Sequence, residues 1–305
     1  MNTLFLNLLL CRERNARSKK YFIQVHLDLT IAIPTKNEEK NLSGCLEAIG
    51  PDFAKQIILL DSGSTDRTCS IAEEYGAEVR QFCWNGRFPK KRNWFLHEYP
   101  PQTRWVLFLD ADEFLNEAFK EELRRTLPTT THSGFWLHYS IYFMGRKLKG
   151  GYPLDKLALF RVGAGEYERI DEDRWSGLDM EVHEHPELQG TVGSIRARID
   201  HRDSRGLNHW IAKHDEYSSW EASRFLKYAE NPDIYSKWTA KQKIKYGLMR
   251  TPVLGIAYFI GSFFLMGGWR DGMTGYTFAK LKMNYFNDIS GKIHTGLGIR
   301  NPNAL

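Results

Sequence analysis

Three short stretches of the sequence bring together residue types that can do chemistry. Asp110-Ala-Asp112-Glu113 closes the apolar run Trp105 to Leu109. Two carboxylates one residue apart at a strand end can both reach one hard divalent cation, which takes oxygen ligands and bridges to phosphates. Asp171-Glu-Asp173 repeats the spacing in a polar stretch, but only the first pair has an apolar run in front of it, which places it at a sheet edge. Pro34-Thr-Lys-Asn37-Glu38-Glu39 follows Leu29 to Ile33; proline stops the strand, and Asn37 can cap the next helix. Asp61-Ser-Gly-Ser-Thr-Asp66 follows Gln56 to Leu60, with Thr65 or Asp66 as helix cap and Asp61 left at the strand end without a structural task. Glu38, Asp61 and Asp110 thus stand at three successive strand ends, a repetition that solvation alone does not explain.

The elements that must position them alternate. The three apolar runs read as strands, and Glu38 to Ile49, Asp66 to Tyr75 and Glu117 to Leu127 read as amphipathic helices between them. Continuous aliphatic strands separated by helices predict an α/β fold, a mostly parallel sheet flanked by helices, with ligands beyond the carboxyl ends of its strands. From Ser133 to about Ile199 the texture is β-like and aromatic, including Gly134 to Phe143 and Lys156 to Val162. After Asp203 it turns helical, over Leu207 to Tyr228 and Ser236 to Met249. The expected organisation is a poorly patterned extension over 1–28, a catalytic-type domain over 29–205 and a helical region over 206–305.

Composition narrows the function classes. A chain of 305 residues with 42% hydrophobic and 13% aromatic residues supports a large packed core and excludes wholesale disorder. A formal net charge of +5 is mildly basic, short of a dedicated nucleic-acid binder, and no nucleic-acid partner is expected. Cys11, Cys45, Cys69 and Cys83 form no C-x-x-C pair and read as reduced thiols of a cytosolic compartment. The apolar patch Leu4 to Leu10 precedes its basic cluster instead of following it, which argues against a signal peptide. The uncharged stretch 251–269, preceded by Lys237, Lys241, Lys243, Lys245 and Arg250, has the length to span a bilayer and equally suits a segment that lies in or re-enters an anionic interface; a buried core helix is the alternative.

Taken together, TIAIPTKNEEKNL, QIILLDSGSTDRTCSIAEEYGA, KKRNWFLHE and WVLFLDADE resemble the family 2 glycosyltransferases of GT-A fold, over about residues 29 to 130. Further on, KLALFRVG and VHEHPELQG are similar to the bacterial lipopolysaccharide inner-core β-glucosyltransferase subgroup. The resemblance implies an inverting transfer of a sugar from a nucleotide-sugar donor, a UDP-sugar by expectation, to a lipid-linked glycan acceptor. It implies that Glu38 reaches the ribose, Asp61 the base, and Lys91 and Arg92 the nucleotide or its pyrophosphate. Asp110 and Asp112 would form the D-x-D motif, with Mg²⁺ or Mn²⁺ neutralising the leaving pyrophosphate and Asp112 the closer ligand. The family's usual acidic pair after the D-x-D has no plain copy here. Glu184 is the first candidate base, followed by Glu181 and Asp179, with His183 orienting Glu184. His201 is a candidate third metal ligand, its alternative a hydrogen-bonded structural residue. Arg161 is a candidate phosphate contact, its alternative a solvated strand terminus. Trp136, Tyr139, Tyr142, Phe143 and Tyr152 suit core packing better than sugar stacking. The expected location is the inner face of the cytoplasmic membrane, peripheral or monotopic. Transfer to polyprenyl phosphate is the enzymatic alternative, and a non-catalytic membrane-surface module with a nucleotide-sugar fold the alternative of another class.

Overall fold

The structure is a computed structural model that describes residues 26–169, 178–179, 185–229 and 240–296. The parallel half of the sheet comes first. Strands β1 (Leu27–Thr35), β2 (Ala54–Asp61), β3 (Glu78–Gln81) and β4 (Trp105–Phe108) lie in the order β3-β2-β1-β4. Helices α1 (Glu39–Ile49), α2 (Thr68–Glu74) and α3 (Lys91–Glu98) connect them. Along β1 the side chains alternate between two cores. Leu29, Ile31 and Ile33 meet Leu42, Leu46 and Ile49 of α1, while Ala32 faces Phe95 of α3. Burial on both faces is why these strands read as unbroken apolar runs.

The sheet continues from β4 through β8 (Asp155–Arg161), β6 (Gly134–Phe143) and β11 (Val192–His201) to β5 (Glu113–Phe114). β8 runs antiparallel to both β4 and β6, and β11 runs parallel to β6. β7 (Arg146–Lys147) pairs with β6, and β9 (Gly165–Tyr167) with β10 (Pro186–Leu188). Helix α4 (Glu117–Thr126) buries Phe119 and Leu123 on the same face as α1; Asn116 caps it by accepting from Phe119 N. The expected mostly parallel sheet flanked by helices is therefore present, with an antiparallel strand set into its middle.

Two loop details differ from expectation. Asn37 does not cap α1; it sits at φ +56, and its Oδ1 accepts from Thr65 N at 2.8 Å, tying the loop after β1 to the loop after β2. Asp66 makes the helix-start contacts instead, accepting from Thr68 N at 3.0 Å and Glu39 N at 3.2 Å. One carboxylate thus serves the first turns of both α1 and α2.

After β11 the chain is helical. α5 (Leu207–Ala229), α6 (Ala240–Met249), α7 (Val253–Phe259) and α8 (Gly272–Thr295) pack around Ala222, Phe225, Met249, Tyr285 and Ile289. The uncharged stretch is not one helix. It bends by 112° from α6 at Thr251-Pro252, continues through α7 into a wide π-turn (Ile260–Leu265), and reaches α8 through a tight turn at Gly268–Asp271. No single helix among the described residues is long and apolar enough to cross a membrane. The bent segment sits on the loop after β7. Asp271 accepts from Lys149 N at 2.9 Å and Gly150 N at 3.1 Å, and Gly151 N donates to Met266 O at 3.0 Å.

A Cβ on Gly150 would come within 2.2 Å of the Gly267 backbone. Gly150→Ala is therefore expected to lift the segment off the sheet, lowering stability by about 1–3 kcal/mol and opening residues 253–271 to protease. Unchanged melting and cleavage would show that the segment does not depend on this contact.

Candidate active site

The site is assembled around the turn after β4. Asp110 N donates to Glu113 Oε2 at 3.1 Å and Glu113 N donates to Asp110 O at 2.9 Å, which folds Asp110-Ala-Asp112-Glu113 back on itself. Two-residue β5 then pairs antiparallel with β11, placing His201 opposite Glu113 and so beside Asp112. His201 Nε2 lies 3.6 Å from Asp112 Oδ1. Arg202 N donates to Asp112 O at 2.7 Å and continues the same ladder.

The carboxylates divide their tasks by their partners. Asp110 accepts from Arg92 Nη2 at 3.0 Å and from Lys156 Nζ at 2.6 Å. Burial works against its charge, but these two cations hold its carboxyl far below the usual range. Lys156 also reaches Glu113, which is fully buried and is lifted by that burial to about 7. Asp112 is 4% exposed, and its Oδ2 has no hydrogen-bond partner, although Arg205 and Lys213 stand 3.7 and 3.9 Å away. Burial again opposes ionisation, and His201 and Lys213 hold the Asp112 carboxyl low. Burial also keeps the His201 imidazole neutral to lower pH, the form that ligates metal.

Glu38, at the start of α1, pairs with Arg205 at 2.5 Å and accepts from Asn41 Nδ2 at 3.0 Å. Burial raises it to about 7 in spite of the guanidinium. Arg205 is held in turn by Asp203 at 2.8 Å, so one arginine links the loop after β1, the D-x-D turn and the start of α5. Lys91, at the start of α3, donates to Thr35 O at 3.0 Å and lies 3.3 Å from Asp179. Burial lowers its pKa and Asp179 partly restores it.

Asp61 is fully buried and accepts from Ser64 N at 2.9 Å and from the Ser64 hydroxyl. It therefore has the structural task that its sequence context did not reveal. Burial opposes its charge, but the Ser64 bonds keep its carboxyl low. Arg161 requires a correction. It pairs with Trp105 at the opposite end of β4 from Asp110, and its guanidinium donates to the carbonyls of His132 and Thr130 while stacking 4.6 Å over the Trp105 ring. It locks a sheet corner and contacts neither cavity described below. Glu184, Glu181 and His183 lie outside the described residues.

Two cavities meet at the D-x-D turn. The smaller, about 310 Å³, is lined by Thr35, Lys36, Glu38, Lys91, Asp179, Arg205 and Lys213 together with Asp110 and Asp112. The larger, about 1190 Å³, opens between the sheet and the C-terminal helices. Asp110, Asp112, Lys213 and Tyr217 line both. Of the aromatic candidates, Tyr142, Phe143 and Tyr152 line the larger cavity, Tyr139 is buried against Glu113, and Trp136 packs against His185. Lys156, Arg205 and Lys213 were not singled out from sequence. Lys156 begins KLALFR and carries no motif of its own, and the other two lie beyond the resemblance.

The donor set fits a divalent cation. Asp112 offers a buried oxygen without a hydrogen-bond partner and His201 a neutral nitrogen beside the carboxylate, while both Asp110 oxygens are in short contact with cations. Among the described residues no group of three or more His, Cys, Asp or Glu gathers to hold an ion unaided. Phosphate oxygens and water would complete its shell.

Residues 30–171 match the family model described as glycosyl transferase family 2, and this stretch is a domain of that family. The chain is 28% identical over 281 residues to the lipopolysaccharide core biosynthesis glycosyltransferase LpsC of Rhizobium meliloti (strain 1021), covering 88% of this chain and 92% of that one. It is 27% identical over 157 residues to the 4,4'-diaponeurosporenoate glycosyltransferase of Staphylococcus aureus (strain bovine RF122 / ET3-1), 49% of this chain and 41% of the relative. Among solved structures, glucosyl-3-phosphoglycerate synthase from Mycobacterium tuberculosis, in complex with Mn²⁺, UDP and glucosyl-3-phosphoglycerate, matches with TM-score 0.29 and 22% identity over 38% of this chain. The chain spans 44% of that structure's length.

Glu38 supplies a pH signature. Its carboxyl rises from an ordinary 4.5 to about 7 on folding, so the folded state binds the proton more tightly. Stability from this group is full below pH 4.5 and is lost as pH climbs through about 7. Glu38→Gln removes the loss. Its stability relative to the parent should grow by about 3 kcal/mol between pH 4.5 and 8, read from urea midpoints; a constant difference would contradict the assignment.

Proposed function

We propose that this family 2 glycosyltransferase moves a sugar, with inversion, from a nucleotide-sugar donor in the smaller cavity to a lipid-linked glycan acceptor in the larger one. The observation that carries the reading is that Asp110 and Asp112 line both cavities, so a donor's leaving phosphate and an acceptor hydroxyl can face each other there. Glu38 and Asp179 line the side proposed for the nucleoside, and Lys91 braces it. Asp61 fixes the loop beneath. Arg205 and Lys213 supply positive charge where pyrophosphate charge would build up, and fixed charges of this kind favour a departing anion without reorganising. A Mg²⁺ or Mn²⁺ ion held by Asp112 and His201 would add Lewis-acid stabilisation of the same leaving group.

The acceptor hydroxyl must lose its proton as its oxygen bonds to the anomeric carbon and the bond to pyrophosphate breaks. Among the described residues, the carboxylates lining the larger cavity are Asp110, Asp112 and Asp203, each facing cations. Asp179 faces Lys91. We propose Glu184 as the base, with Glu181 second, in the segment that directly follows Asp179 in sequence.

The acceptor's lipid part gives the C-terminal segment its role. Ile256, Ile260, Phe264, Leu265, Trp269 and Met273 are exposed together, Leu265 at 81%, with Arg250, Arg270 and Lys280 nearby in sequence. An apolar surface of this kind, flanked by cations, suits the headgroup region of an anionic leaflet. Membrane attachment at the inner face and the division into a 29–205 transferase domain and a 206–305 helical region follow from this reading.

Two measurements test it. In a thermal-shift panel of UDP-, GDP- and CMP-sugars, one nucleotide class is expected to stabilise the protein by about 2–3 kcal/mol near 100 Kd, only with Mn²⁺ or Mg²⁺, and Asp112→Ala should abolish the shift. No shift with any donor sinks the transferase reading. Separately, Leu265→Asp with Phe264→Asp should weaken binding to phosphatidylglycerol vesicles at least about ten-fold, since each apolar side chain contributes about 2 kcal/mol. Equal binding would remove the segment from the membrane.

A further inference from the structure

The larger cavity contains a lysine–histidine pair that the transfer itself does not use. Lys282 of α8 points its ammonium at His214 of α5, with Nζ 2.9 Å from Nε2. His214 Nδ1 is 2.8 Å from Trp210 O, an atom that only accepts, so Nδ1 carries the ring proton and Nε2 accepts from the lysine. One of the three ammonium hydrogens is thereby used. Around the rest stand the rings of Trp210 and Tyr285, each centred 5.5 Å away. Among the described residues no carboxylate pairs with Lys282, and the only charged group acting on it is another cation, Lys213.

Such an arrangement is costly. A lysine withdrawn from water against aromatic walls, with a like charge nearby, lacks the compensation that buried charges normally have. Burial and Lys213 lower its pKa to about 8, still charged at neutral pH. The carboxylates lining the cavity are already matched. Asp110 faces Arg92 and Lys156; Asp112 faces His201, Arg205 and Lys213; Asp203 faces Arg205. Among the described residues none supplies the missing negative charge, and a ligand in the cavity can.

We infer that Lys282, oriented by His214, is the cation of an anion subsite of the larger cavity, which takes a phosphate monoester carried by an amphipathic acceptor. The remaining ammonium hydrogens point a charge-assisted hydrogen bond at the phosphate. Trp210, Tyr285, Phe278 and Tyr258 offer apolar surface to the stem that bears it. The inference rests on the larger cavity being the acceptor side, and the Asp110 and Asp112 end of that cavity is left open for the hydroxyl that reacts.

The test is calorimetric titration of the full chain with dodecyl phosphate below micelle formation, with neutral dodecyl glucoside and, in the presence of Mn²⁺, UDP, GDP and CMP as controls, on the parent, Lys282→Met and Lys282→Arg. Lys282→Met is expected to weaken dodecyl phosphate about ten-fold or more while leaving nucleotide and dodecyl glucoside binding unchanged. Lys282→Arg should stay within about three-fold of the parent, since it keeps the charge; this also excludes misfolding as the cause. Equal affinity of Lys282→Met and the parent for dodecyl phosphate overturns the subsite. So does equal binding of the phosphate and the neutral glucoside by the parent. Failure of UDP, GDP and CMP alike to bind the parent in the presence of Mn²⁺ overturns the transferase reading instead, which keeps the two failures distinct. Competition by glucose 6-phosphate would place the phosphate on a sugar, and lack of it on the lipid stem; either supports the subsite.

Discussion

Gathering carboxylates out of water at one sheet edge is the constraint on which the rest of this structure depends. Glu38, Asp110, Asp112 and Glu113 converge there; burial pushes each toward its protonated form, and cations overcome that push at Asp110 and Asp112 and only partly at Glu38 and Glu113. Every surrounding element supplies a cation. Arg92 comes from α3, Lys156 from β8, Arg205 from the loop after β11 and Lys213 from α5. The antiparallel insertion of β8 between β4 and β6 has this use: it brings Lys156 to Asp110 and Glu113 from within the sheet, where no loop could hold it as rigidly. The C-terminal helices likewise do more than cover the sheet, because α5 carries Lys213 into both cavities.

The same constraint sorts the carboxylates into roles. Asp110 has two short cation contacts and is a fixed negative charge, whereas Glu113 lies deepest and keeps its proton to about pH 7. Asp112 is ionised yet keeps one oxygen unbonded, the costly state that a metal or phosphate-bound ion relieves. Three acidic residues within four positions thus differ in chemistry because their neighbours differ. The sequence motif alone gives them no such ranking.

The parallel half of the fold was legible because its strands are buried on both faces, and no exposed position interrupts their apolar runs. β3, with the sequence Glu78-Val-Arg-Gln81, was not, since an edge strand needs only one apolar contact. β11 hid for a related reason: Arg196 and Arg198 break its pattern, yet its register against β6 and β5 sets His201 beside Asp112. In the site, Asp110 and Asp112 could be read from the apolar run in front of them and Glu38 from the proline turn. Lys156, Arg205 and Lys213 could not, because each reaches the carboxylates of the D-x-D turn from at least 43 residues away, as with Lys156 and Glu113. Asn37 shows the reverse error. It has a capper's composition, but its oxygen crosses to Thr65, a long-range bond that local spacing cannot reveal.

The helix bend at Thr251-Pro252 links this chemistry to the molecule's apolar surface. A straight span would have carried Tyr258 away from the sheet. With the 112° bend, Tyr258 stacks 4.6 Å from Tyr152 at the cavity wall while Ile256 and Ile260 of the same stretch remain exposed. The Gly150 and Gly267 backbones fix that position by a close approach that a side chain on Gly150 would prevent. Under the proposed function, a lipid-borne acceptor would then keep its chain against the exposed apolar face and its head inside the cavity, without first transferring the chain through water. That transfer costs about 0.8 kcal/mol for each methylene, which soon exceeds what one phosphate contact returns. Under that reading the bend, more than the length of the uncharged stretch, would set how such a molecule reaches the large cavity.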